Sequence, residues 1–278
     1  MAYISNTQLS MWTSCPYTWQ VNYIERRPTF VGNIYTVFGT SIHEIIQNYL
    51  NVYYNQTIKA ADTIDLNKNF KKTFKELLDQ SRDEHGDDFP ATESQFVEFT
   101  EDGINILDEF KKRKGAIFPK KNHELLGNEI KLNYEIFPNI NFIGYLDTVI
   151  RNKKTGLVKI IDIKTATFGW NRYQKANKLR TNQLLLYKHF YGLQESIEKI
   201  EIEYLILKRK LWEKADFPQK RIQRFSPASG KPSMNKVLKM LDKFINECFD
   251  SNGEKINNNY QKCDKSKKCK DCKEIPPI

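Results

Sequence analysis

Three residues stand out by type and spacing: Asp147 in the string Gly144-Tyr145-Leu146-Asp147, and Asp162 and Lys164 in Ile161-Asp162-Ile163-Lys164-Thr165. Residues two apart in a strand point to the same face, so Asp162 and Lys164 project together from a run that is otherwise apolar. A charged pair there needs compensation, and the preceding strand supplies a second carboxylate, Asp147. Two close carboxylates repel, which raises the pKa of one unless a cation intervenes. A hard divalent ion with oxygen ligands, Mg²⁺ or Mn²⁺, suits such a group. An ordinary salt bridge between Lys164 and one aspartate accounts for the same residues and stays open on them alone.

The elements that carry these residues follow from periodicity. Residues 6–24 read as a helix interrupted by Pro16, with Leu9, Trp12, Trp19 and Tyr23 as core. Residues 38–54 read as a helix capped by Thr40 or Ser41, and 66–80 and 92–113 as two more, separated by an exposed polar loop. The period then shifts to that of strands at 125–137, 141–151 and 157–164, with turns at Pro138-Asn139 and around Gly156. A helix at 174–191, a strand at 199–208, a short strand at 221–225 and a helix at 232–249 complete the pattern. This order predicts an α/β (α+β) chain: a central mixed β-sheet flanked by helices, behind an N-terminal helical region. The expected division is a mainly helical part over 1–120, a sheet core over 121–225 and a last helix with a Cys/Lys-rich tail over 226–278, all within a single domain.

Further residues fall into order around the central three. His43 lies on the helix opened by Phe38-Gly39-Thr40, and Gln183 and Tyr187 share a helix face four residues apart. The ordered set Cys15-Pro16, Phe38-Gly39-x-x-x-His43, Gly144-x-x-Asp147, Asp162-x-Lys164 and Gln183-x-x-x-Tyr187 resembles the RecB-like branch of the PD-(D/E)XK nuclease superfamily, which includes phage exonucleases. The resemblance implies a restriction-endonuclease-like core. It also implies that His43, Asp147, Asp162 and the Ile163 carbonyl hold the metal, and that Lys164 orients water and stabilises charge developing on phosphate. Gln183 and Tyr187 would contact DNA, Thr165 would support Lys164 or a phosphate, and Glu129 is a looser acidic candidate. Phosphodiester hydrolysis needs an activated water and a neutralised phosphate, which a metal and a nearby ammonium supply. Arg172, Lys175 and Arg180 interleave with Trp170 and Tyr173, a mixture suited to single-stranded or frayed DNA. A plain exposed basic face reads equally well.

The five cysteines, without a visible secretory leader, argue against a disulfide framework. The resemblance implies that Cys15, Cys263, Cys269 and Cys272 hold a [4Fe–4S] cluster joining the ends of the chain, as in the iron–sulfur subgroup of the family. The last three are spaced C-x5-C-x2-C, whereas the family runs C-x2-C-x5-C, so zinc and plain thiols stay open. Cys248 reads as a buried thiol.

Charge supports a polyanion partner. The net charge is +10 over 278 residues; residues 1–150 hold 15 basic and 20 acidic side chains, and residues 151–278 hold 29 and 14. No apolar run is long enough to span a bilayer. The expectation is an intracellular, cytoplasmic protein with no membrane partner, encoded by a phage or acting in phage-type recombination, repair or DNA processing. It is expected to work as an exonuclease on DNA ends or single strands, alongside recombination or replication proteins. A structure-specific or flap endonuclease and a non-catalytic nucleic-acid scaffold are the alternatives, and oligomeric state is not readable.

Overall fold

Apolar residues recur at helical spacing up to about residue 118 and at strand spacing from about 123, and the backbone follows that change. The computed structural model describes residues 1–27, 32–86, 89–263 and 272. A short strand β1 (Ala2–Ile4) leads into α1 (Asn6–Ser14) and α2 (Pro16–Tyr23). Next come α3 (Ile34–Asn55), α4 (Ile58–Asp62), α5 (Leu66–His85) and α6 (Glu93–Ile117). Strands β2 (His123–Phe137), β3 (Ile140–Asn152) and β4 (Val158–Ala166) follow, then α7 (Arg172–Ala176) and α8 (Lys178–Gln194). The described chain continues with β5 (Ile200–Lys208), β6 (Ile222–Phe225) and α9 (Lys231–Cys248). Fold class is as expected: a mixed six-stranded sheet with helices on both faces.

The boundaries differ from the sequence expectation in ways that have causes. The helix read as 6–24 is two helices, because Pro16 has no N–H to continue the first; it opens α2 as its first residue instead. The helix read from 38 begins at Ile34. Its cap is Asn33, whose Oδ1 accepts from the Tyr35 and Thr36 N–H groups while Thr36 reaches back to the Asn33 N–H. The polar loop after residue 80 is shorter than expected, since α5 runs to His85. The helix read as 174–191 is split at Asn177, whose side chain caps α8.

Two apolar layers sandwich the sheet. One side packs α1, α8 and α9 on Phe142, Leu146, Ile160 and Tyr204; the other packs α3, α5 and α6 on Ile161, Ile163, Leu205 and Leu207. The alternation along β4 and β5 assigns successive residues to opposite layers. β3 is the hub. β2 covers one of its edges along almost the full length; on the other edge β1 pairs in parallel with 140–142 and β4 pairs antiparallel with 148–151. Between those two partners, Ile143 to Asp147 have no strand on that edge among the described residues, so β3 and β4 part like a fork. Beyond the fork β4 continues in register with β5 to Ala166.

Candidate active site

Asp147, Asp162, Ile163 and Lys164 lie just past the last β3–β4 pair, Thr148–Ile161. The fork frees the Ile163 N–H, and Asp147 takes it: Oδ2 accepts at 2.7 Å. This replaces a ladder hydrogen bond with one from a carboxylate, which fixes the side chain in the gap. α3 supplies His43, whose Nδ1 stands 3.6 Å from the same Asp147 oxygen and whose ring is close enough to the Ile163 backbone to feel it in its ionisation. The helix runs close to β4; a Cβ on Gly39 would stand 3.4 Å from Thr165 Oγ1.

Glu129 joins them from β2. Its φ of +49° puts it in the left-handed region, rare for a residue with a Cβ, just after a register slip between Leu125 and Gly127. One ligand atom each from His43, Glu129 and Asp147 lie within 4.8 Å of one another. Glu129, the looser candidate of the sequence reading, therefore stands in the central cluster. Gln47, which that reading did not single out, ties the cluster together. Its Nε2 donates to Glu129 Oε1 at 2.7 Å and to the Asp147 carbonyl at 3.0 Å. Its signal was its place one helical turn after His43, on the same face. Asn128 extends the support, donating to the Gln47 carbonyl while its Oδ1 accepts from Thr148.

Asp162 and Lys164 stand outside that three-residue group. Asp162 Oδ2 faces Lys164 Nζ at 2.8 Å, and Asp162 Oδ1 is buried with no hydrogen-bond partner. Burial pushes the Asp162 carboxyl up to about 6, against the pull of Lys164, and does the same to Asp147. Lys164 is itself disfavoured by burial, but Asp162 and Asp147 outweigh this and hold it above the ordinary lysine value. Burial, then Lys164, lower the His43 pKa and favour the neutral imidazole. A buried, unpartnered carboxylate oxygen is costly and a cation relieves it. Carboxylates with raised pKa values and a neutral imidazole form a donor set that fits a hard divalent ion.

α8 closes the floor. Gln183 Nε2 donates to the Tyr187 hydroxyl at 3.1 Å, and Tyr187 is near enough to Lys164 to influence its ionisation. Gly144 makes this approach possible: a Cβ there would lie 2.6 Å from the Tyr187 ring. Arg172, Lys175 and Arg180 are not brought into the carboxylate cluster. Each lies over an aromatic ring of the chain itself: Arg172 over Tyr173, Lys175 over Phe225 and Arg180 over Trp170, at 4.6, 5.6 and 5.7 Å. Trp170 is buried against Tyr204, so it offers no face for a base, contrary to the sequence expectation.

A second cluster lies at the ends of the described chain. Cys15 Sγ is 3.5 Å from Cys272 Sγ, Cys263 Sγ is 3.9 Å from it, and the three form one potential ligand group. Cys269 lies outside the described residues. Burial works against the Cys15 thiolate, yet hydrogen bonds from Thr18, Cys263 and Cys272 bring it down to about 7. Cys248 is buried on α9, and burial pushes its thiol up to about 12.

A fork in a mixed sheet, lined by an acidic cluster and a lysine, is what a nuclease core would use. A family model for the PD-(D/E)XK nuclease superfamily matches residues 3–274. The chain belongs to that superfamily, whose members are nucleases that typically use divalent metal ions. A comparison with curated proteins finds no match. Among the described residues no helix is long and apolar enough to cross a membrane.

Proposed function

We propose that the chain is a divalent-metal-dependent DNA exonuclease of the RecB-like branch, working as one nuclease domain on DNA ends or single-stranded segments in phage-type recombination, repair or processing. The observation that carries this reading is the convergence of His43, Glu129 and Asp147 in the fork beside the buried Asp162–Lys164 pair. In this reading His43, Asp147, Asp162 and the Ile163 carbonyl hold Mg²⁺ or Mn²⁺, with Glu129 as an added acidic ligand. The ion, when bound, lowers the pKa of its water and neutralises phosphate oxygens. Lys164 contributes a fixed ammonium toward the attacking water and the phosphate. Gln183 and Tyr187 orient the strand from α8, and Arg172, Lys175 and Arg180 add positive charge along its path.

Asp162→Ala and Lys164→Ala are each expected to abolish Mg²⁺-dependent DNA degradation, a loss of at least roughly a hundredfold. Wild-type rates in both variants would refute the assignment. Linear and covalently closed circular DNA separate exonuclease from endonuclease; rapid nicking of circles would favour a structure-specific endonuclease.

For the cysteines we propose a [4Fe–4S] cluster or a zinc ion on Cys15, Cys263, Cys272 and Cys269. The support is the meeting of the first three sulfurs from sequence-distant positions and the lowered Cys15 pKa. Anaerobic absorbance with iron, sulfide and zinc assays distinguishes the two. A colourless, metal-free protein would remove both.

A further inference from the structure

Parallel strands β4 and β5 end side by side, and their pairing continues past both elements. The Arg209 N–H donates to the Ala166 carbonyl at 2.9 Å and the Lys210 N–H to the Thr167 carbonyl at 2.8 Å. At the end of this extension Phe168 and Trp212 stack, ring centroids 4.5 Å apart and planes 19° apart. Both rings face solvent, 44% and 63% exposed, and neither belongs to an apolar layer of the sheet. Leaving rings of this size largely in water forgoes the gain of burying them.

The backbone beneath them is held firmly. Arg209 is buried with Nη1 on Asp102 Oδ2 at 2.9 Å, and Lys210 Nζ reaches Glu98 and Asp102 at 3.0 and 3.1 Å. Gln219 accepts from the Trp212 N–H and donates to the Trp212 carbonyl, at 2.9 and 2.6 Å. Gln223 braces the Phe168 side through both backbone groups of Trp170. An exposed aromatic pair on a preorganised support is a binding surface whose ordering cost is met on folding.

Position and charge indicate the occupant. Phe168 is four residues beyond Lys164 and two past the end of β4, so at about 3.3 Å per residue the two are at most roughly 13 Å apart along the chain. That places the rings outside the carboxyl ends of the strands, next to the fork. Lys214 and Lys220 are exposed on the β5–β6 connection together with Glu213 and Asp216, and Arg172 is exposed at the start of α7 in the β4–β5 connection. A flat, solvent-facing π-face takes an unpaired base, whereas bases within a duplex present no free face. Self-association of so small a patch is opposed by the net charge of +10.

We propose that Phe168 and Trp212 form a stacking subsite for an unpaired nucleobase of the substrate strand, a few nucleotides from the phosphate at the fork. The proposal rests on the nuclease reading, but its test reads binding alone. The full chain in EDTA is titrated with fluorescent oligothymidylate, with a strand of equal length carrying abasic sites, and with a blunt duplex. Trp212→Ala is expected to weaken oligothymidylate binding by about 5- to 150-fold, Trp212→Phe by much less, and Phe168→Ala measurably. The abasic strand is expected to bind weakly and equally to wild type and variant. The other three tryptophans are buried, so oligothymidylate should quench the fluorescence of Trp212 in the wild type. Unchanged affinity in Trp212→Ala, an equal loss for the abasic strand, or a change in sedimentation without a change in binding would each overturn the subsite. Wild type that cuts DNA while Trp212→Ala binds normally removes the subsite and keeps the nuclease. Wild type that binds and quenches but never cuts with Mg²⁺ does the reverse.

Discussion

Gln47 carries no charge, yet its side-chain amide holds both the Glu129 carboxylate and the Asp147 backbone carbonyl. Replacing it with leucine leaves Glu129 unpaired and Asp147 free to shift. Gln47→Leu is expected to weaken Mg²⁺ binding and cleavage by about 10- to 100-fold, with rates partly restored at high Mg²⁺; calorimetric titration with the metal checks the first part. Gly144 works by absence. Gly144→Ala drives a methyl into Tyr187, so we expect a loss of about 1–3 kcal/mol in stability, read by denaturant midpoint. Asp147, Asp162 and Lys164 could be picked out because strand alternation makes a charge within an apolar run conspicuous. The position of Glu129 could not, since a single residue with positive φ re-aims its side chain in a way no period reveals. Trp170 misled because an aromatic beside cations reads the same whether its ring is buried or open.

At the scale of elements, the sequence identified the central strands and long helices well, as their periods persist over many residues. It missed β1 and α4, three and five residues long, which owe their existence to neighbours: β1 to the vacant edge of β3, α4 to its Thr57 cap and to α3. The fork was invisible for the same reason, because it depends on where two pairings stop. The far end of the sheet carries a different burden. Glu203 on β5 is buried and receives Arg224 from β6 at 2.6 and 2.9 Å and Lys159 from β4 at 3.1 Å. Burial raises its pKa, but these cations outweigh it and the net shift is downward. A depressed carboxylate stabilises the fold above its unfolded value, near 4.5, and that contribution fades as pH falls through the lower folded value. Glu203→Gln is therefore expected to cost about 1–3 kcal/mol at pH 7 and much less near pH 3. Paired thermal melts at the two pH values check it.

For the whole molecule, charge is the property most plainly read from the sequence. The basic residues concentrate in the half that contains β4, α7, α8 and the β5–β6 connection. If about three phosphates of a single strand are neutralised, affinity is expected to fall roughly twentyfold between 50 and 200 mM salt; anisotropy titrations across that range measure the slope. The meeting of Cys15 and Cys272 has a consequence for the unfolded chain as well. The two are 257 positions apart, so any bridge between their sulfurs closes nearly the whole polypeptide into a ring. Loop-closure entropy for a ring of that size is about 5.5 kcal/mol, comparable with the entire stability of many domains. A metal or cluster on the sulfurs adds its binding free energy to the folded state and restricts the unfolded chain only while it stays bound, so its removal should lower the unfolding midpoint while leaving the sheet's native contacts as they are.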